Sequence, residues 1–161
     1  MNYGVAQERK GNNKVALAAY SKAINVAKEA EPAYRMSSLY QAKGSLLDRM
    51  FNDKSAALKH YQKALSLNST PSLWVSVGKI HLFDRAYSKA LAAFKKAEGI
   101  NPRDFKLHLL IAGALGGLGR FDEALVHVDK AIGLASDSPA RLREAKHKKA
   151  VLIEFRDRPK N

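Results

Sequence analysis

The chain has 161 residues, 46% hydrophobic and 27% charged, which excludes both a disordered chain and a membrane-embedded one. It has no cysteine, which excludes disulfides, thiolate-ligated metals and a cysteine nucleophile. The net charge of +13 excludes no fold. It directs attention to anionic partners: nucleic acid, an anionic membrane surface or an acidic protein.

In chain order, residues 1–13, "MNYGVAQERKGNN", carry no apolar signal core, so the expected location is cytoplasmic; a chain from which a signal peptide had been removed would read the same. Residues 13–26, "NKVALAAYSKAINV", set Ala16, Tyr20 and Ala23 four and then three apart. That spacing puts a small, a large and a small residue on one face of a helix. The same frame returns in 54–67 as Ala57, Tyr61 and Ala64, and in 87–100 as Ala90, Phe94 and Ala97. It returns again in 121–134 as Ala124, Val128 and Ala131, with valine in place of the aromatic. Each such segment follows another amphipathic one. In 71–84, "PSLWVSVGKIHLFD", the apolar positions are Leu73, Trp74, Val77, Ile80 and Leu82. Thr70 before Pro71 and Ser138 before Pro139 are helix-start signals, and Asp104 is placed to cap the helix after Asn101-Pro102. No segment alternates with the period of a strand. The most apolar stretch, "LHLLIAGALGGLG" (107–119), is too short to span a membrane and contains His108. The last segment, "PARLREAKHKKAVLIEF" (139–155), has no partner helix after it and reads as a capping helix.

The first alanines of the four stripes stand 41, 33 and 34 residues apart. A period in this range is the signature of a helical array. The extra length in the first interval is close to two helical turns, which preserves the faces if helices lengthen; it is expected around "AKEAEPAYRMSS" (27–38).

With these residues in hand, the chain resembles the tetratricopeptide repeat, whose unit carries Trp, Leu and Gly on its first helix, a small residue, an aromatic and Ala on its second, and a closing Pro. The third unit matches best, with Trp74, Val77, Gly78, Tyr87, Ala90, Phe94, Ala97 and Pro102. The fourth matches at Ile111, Ala112, Gly119, Phe121, Ala124 and Ala131, but has His108 where the third has Trp74. The first matches in its second helix, with Gly4 and Gly11 at first-helix and turn positions. In the second, Tyr40 and Gly44 fit only if the turn "FND" (51–53) carries an extra residue. The resemblance implies an all-α, right-handed superhelix of antiparallel helix pairs, a tetratricopeptide-like α-solenoid, forming one domain over 1–161. Its units are 1–30 with an incomplete first helix, 32–69 lengthened, 71–103 and 104–137, followed by a capping helix at 138–156.

The glycines of "GALGGLG" (113–119) lack the strand before and the Lys-Ser/Thr after that a phosphate loop needs. Gly119 reads as the interhelix turn, with Gly113, Gly116 and Gly117 permitting close approach. The five histidines, His60, His81, His108, His127 and His147, form no i, i+4 metal pair with a neighbouring carboxylate, and there is no Gly-x-Ser-x-Gly. No cofactor, metal centre or catalytic constellation is expected, and the chain does not read as an enzyme.

In the family it resembles, first helices line a concave groove. Carried over position by position, the groove residues are Ser72, Val75, Ser76, Lys79, Leu82 and Phe83, then Lys106, Leu109, Leu110, Gly113, Gly116 and Gly117, then Arg143 and His147. Apolar positions with a few cations suit a protein partner, an acidic or amphipathic peptide or helix, bound by a scaffold or adaptor. Some family members clamp a terminal carboxylate between Lys and Asn four apart on an early first helix. Here the corresponding pairs are Gln41 and Ser45 or Ala42 and Leu46, then Val75 and Lys79, and Leu109 and Gly113, so no such clamp is expected. The alternative partner is nucleic acid or another anionic surface, met by the basic surface of Arg141, Lys146, Lys148 and Lys149 on the last helix, although Phe155 is the only aromatic there. The other reading of that face is a solvated one. Self-association through apolar surface near the N-terminus is a further expectation.

Overall fold

A computed structural model of the chain describes residues 2–27, 32–135 and 137–158. Among the described residues the secondary structure is entirely helical: α1 (Asn2–Arg9), α2 (Asn13–Val26), α3 (Ala33–Phe51), α4 (Lys54–Leu67), α5 (Pro71–Phe83), α6 (Tyr87–Ile100), α7 (Phe105–Gly117), α8 (Phe121–Gly133) and α9 (Pro139–Asp157). The chain forms two compact units, residues 1–76 and 77–161, with the division falling inside α5.

The helix starts follow the local chemistry. Asp53, Asp104 and Ser138 accept hydrogen bonds from the backbone N–H groups of Ala56 (2.9 Å), Leu107 (3.0 Å) and Arg141 (3.5 Å). Thr70 Oγ1 accepts from Leu73 N–H at 3.4 Å. Each side chain satisfies a donor that the first helical turn leaves without a partner.

The turns inside the helix pairs share one device. A residue with positive φ, Gly11 (78°), Arg85 (56°) or Gly119 (72°), follows the helix. The next N–H then reaches back five residues: Asn12 to the Gln7 carbonyl, Ala86 to His81 and Arg120 to Leu115, at 2.8–2.9 Å. This left-handed cap reverses the chain within a few residues. At the end of α3 the positive-φ residue is Asn52 (52°), and the closing bond runs six residues, from Asp53 N–H to the Leu47 carbonyl at 3.0 Å. The extra residue that the alignment of Gly44 requires is therefore present at this turn. The longer first interval is carried in part by α3, which has 19 residues against 13 in α5 and α7; residues 28–31 of the expected insertion lie outside the described residues.

The alanine–aromatic stripes face inward. Ala16, Ala57, Ala90, Ala97, Ala124 and Ala131 are fully buried, as are Phe94 and Val128. Opposite each aromatic stands a glycine of the preceding helix. A methyl group on Gly78 would lie 2.3 Å from the Phe94 ring, one on Gly4 2.7 Å from Tyr20, and one on Gly44 3.0 Å from Tyr61. The absent side chain lets the ring lie against the helix backbone. Burying a ring of this size contributes about 2–3 kcal/mol. In residues 1–76 the core gathers Ala16, Tyr20, Ile24, Met36, Leu39 and Leu46. In residues 77–161, Ile80, Phe94, Leu107, Ile111, Leu115 and Val128 are its fully buried large side chains.

Candidate functional site

Within residues 77–161, α5, α7 and α9 together line a cavity of about 460 Å³. Helix α5 contributes Lys79, α7 contributes Lys106, Leu109 and Leu110, and α9 contributes Glu144, His147 and Lys148. Spacing of three and four residues places the α7 trio on one helix face and the α9 trio on another. Leu109 and Leu110 are half-buried and form an apolar floor, while Lys79, Lys106 and His147 are exposed around it. Such a surface can bury an aliphatic or aromatic anchor and hold carboxylates at its edge; Glu144 limits how much negative charge it accepts.

Five residues expected in the groove, Lys79, Lys106, Leu109, Leu110 and His147, thus share one cavity. Leu82, Phe83 and Arg143 are not among its described lining residues. Phe83 is 70% exposed, Arg143 is exposed, and Leu82 is half-buried. Glu144, which was not among the residues expected in the groove, also lines the cavity. Lys148, expected on the basic surface, also lines this cavity. Glu144 lies three residues before His147, and Lys148 lies four after Glu144, so helical periodicity from His147 finds Glu144 and from Glu144 finds Lys148.

The glycines of α7 divide by role. A methyl on Gly116 would lie 2.9 Å from Leu152 of α9, and one on Gly117 would lie 2.5 Å from the Tyr87 ring. Gly119 holds the turn. Gly113 does not conform to the expected close approach: a methyl there would lie 3.7 Å from Lys148 Nζ, an ordinary contact.

Several cations at and just beyond the last helix have partners within the chain. The Arg141 guanidinium stands over the Phe105 ring, 5.6 Å from its centre. Lys149 donates to Asp129 at 2.6 Å. Arg156 pairs with Asp157 and Asp122, and Arg158 with Glu154. Lys146 is exposed, and Lys160 lies outside the described residues.

A second polar constellation lies beneath α6, α7 and α8. His108 of α7 and His127 of α8 are buried, and Glu98 of α6 is half-buried beside them. His108 Nδ1 and His127 Nδ1 are 3.2 Å apart. Glu98 Oε1 is 3.6 Å from each. His108 Nε2 is 3.0 Å from the Pro102 carbonyl, and His127 Nε2 is 3.2 Å from Lys95 Nζ. The outer partners determine the protons. A carbonyl only accepts, so His108 carries its proton on Nε2; an ammonium only donates, so His127 carries its proton on Nδ1. That proton is then donated to His108 Nδ1. Every ring nitrogen is satisfied with both imidazoles neutral. Burial, then the Lys95 charge, push His127 down to about 4, against the pull of Glu98. Burial would raise the Glu98 carboxyl, but its hydrogen bond from Lys95 at 2.8 Å and the nearby positive charges hold it below the usual value. No spacing rule links positions 98, 108 and 127, so the sequence offered no local signal for this set.

No family model matches this sequence, and no curated protein matches it. Solved structures do. The Arabidopsis OM64 TPR domain superposes with a TM-score of 0.67 at 20% identity, covering 76% of this chain and 98% of that one. MamA superposes with a TM-score of 0.76 at 15% identity, covering 97% of this chain and 91% of that one. A double mutant of MamA RS-1 gives 0.74 at 18% identity, covering 97% and 93%. At these identities the likeness is one of fold, and the fold is an all-α tetratricopeptide-type helical repeat.

Proposed function

We propose that this chain is a non-catalytic interaction module that holds an acidic or amphipathic protein segment against α5, α7 and α9. Its repeat units are the helix pairs α1–α2, α3–α4, α5–α6 and α7–α8, with α9 as the cap. The observation that carries this reading is the cavity over Leu109 and Leu110 with Lys79, Lys106, His147 and Lys148 around it. An apolar floor takes the hydrophobic anchors of a docking helix, and the surrounding cations take its carboxylates. The surface is carried on helices that are already folded, so little ordering entropy opposes docking. Nucleic-acid binding through the last helix is the weaker reading, because Arg141, Lys149, Arg156 and Arg158 already have aromatic or acidic partners in the chain.

The test is selection from a displayed random-peptide library. Enriched peptides should pair Asp or Glu with Leu, Ile or Phe at helical spacing. Lys79→Glu and Lys106→Glu should each weaken the selected peptide while the far-ultraviolet circular dichroism is unchanged. Undiminished binding by both folded variants would remove this groove assignment.

A further inference from the structure

We infer that Glu98, His108 and His127 form a binding site for one divalent transition metal of the zinc class. The inference rests on donor geometry. Three corners of a zinc tetrahedron with metal–ligand bonds near 2.05 Å stand about 3.3 Å apart. The three donor atoms here are separated by 3.2, 3.6 and 3.6 Å. Little movement is needed to bring all three to bonding distance of a common centre. Two imidazoles and one carboxylate are a recurrent zinc set, and imidazole selects against magnesium and calcium, which prefer oxygen.

The surroundings add two independent observations. The Pro102 carbonyl, 3.0 Å from His108 Nε2, holds the His108 proton on the outer nitrogen and turns the lone pair of Nδ1 inward. This is the outer-shell contact that metal-ligating histidines use. A cavity of about 490 Å³ lined by Glu98, Pro102, His108, Lys130, Gly133 and Leu134 opens beside the donors. It offers both an entry path and room for a water as the fourth ligand.

Lys95 is the opposing element. For His127 Nδ1 to bind a metal, its proton must move to Nε2, where the Lys95 ammonium stands at 3.2 Å. The Lys95 side chain is 49% exposed and can turn into solvent. Lys130 Nζ, 3.9 Å from Glu98 Oε1, opposes a cation less directly. The site is therefore a metal site held in check by a removable lysine. It involves none of the residues that line the cavity over Leu109 and Leu110, so it stands or falls independently of peptide binding.

The test uses the untagged full chain, stripped with a chelator and titrated with cobalt(II) and then zinc(II). One equivalent of cobalt should bind and give the intense visible absorption of a four-coordinate ion, and zinc should displace it. His127→Gln and Glu98→Gln should each weaken zinc by about tenfold or more, whereas Lys95→Met should tighten it. The triple variant His60→Gln, His81→Gln, His147→Gln, which leaves the buried set intact, should bind as the parent does. Absence of a stoichiometric complex in both the parent and Lys95→Met would overturn the assignment. So would equal affinity in a folded His127→Gln variant, or loss of binding in the triple variant.

Discussion

Gly78 carries no side chain, and the ring of Phe94 occupies the space one would fill. The same exchange links Gly4 with Tyr20 and Gly44 with Tyr61. In the fourth unit the equivalent positions hold Ala112 and Val128, both fully buried: the opposing residue gains a methyl where the aromatic shrinks to valine. Overpacking these sites forces rings off their rotamers. Gly78→Ala and Ala97→Leu should each cost about 1–3 kcal/mol, lowering Tm by about 2–4 °C per kcal/mol in a chain of this size. A scanning-calorimetry trace unchanged for both would refute the packing frame. Tyr20 adds a pH effect. Its hydroxyl donates to Glu8 at 3.1 Å, and burial followed by Glu8 pushes the phenol up to about 12 from 10.0. The folded chain therefore keeps a proton that the unfolded chain loses between those values. The associated stability is fully present below pH 10 and is lost as pH rises towards 12. In urea titrations, Tyr20→Phe should lose less stability over that window than the parent.

At the scale of elements, the turns show where the chain bears conformational cost. Gly11 and Gly119 take positive φ without penalty, whereas Arg85 adopts 56° with a side chain. Arg85→Gly should stabilise the α5–α6 turn by up to about 1 kcal/mol, and Gly119→Ala should cost about 1 kcal/mol or more. Asn52→Gly should gain less than Arg85→Gly, because asparagine tolerates the left-handed region. Chemical-denaturation midpoints of the three variants check this order. Helix α7 contains three glycines, each costing about 1 kcal/mol relative to alanine. Gly116 and Gly117 return that cost by admitting Leu152 and Tyr87; Gly113 returns nothing comparable and lies on the cavity face.

At the scale of the whole molecule, the charge of +13 acts through ionic strength. A peptide selected on the cavity over Leu109 and Leu110 should bind more weakly as salt rises, because exposed lysines are screened. Binding should persist at high salt, because burial on the leucine floor is not screened. A complex that vanished entirely, as a purely ionic contact with nucleic acid would, would argue against the apolar floor. Among the described residues, no helix is long and apolar enough to cross a membrane.

Helix positions, capping residues and the small–large–small stripes were legible from periodicity, because helical spacing writes burial into the local sequence. The cavity face of α7 came from the family resemblance, which carried Lys106, Leu109 and Leu110 over as groove positions; their spacing of three and four fits one helix face. The tertiary structure decided what crosses between helices. It set Lys148 and Glu144 opposite α7, tied Lys149 to Asp129, and gave Gly113 a different role from Gly116. Most of all, it brought Glu98, His108 and His127 from three helices to one point. Their meeting depends on how α6, α7 and α8 pack, and no local pattern of the chain records a packing angle.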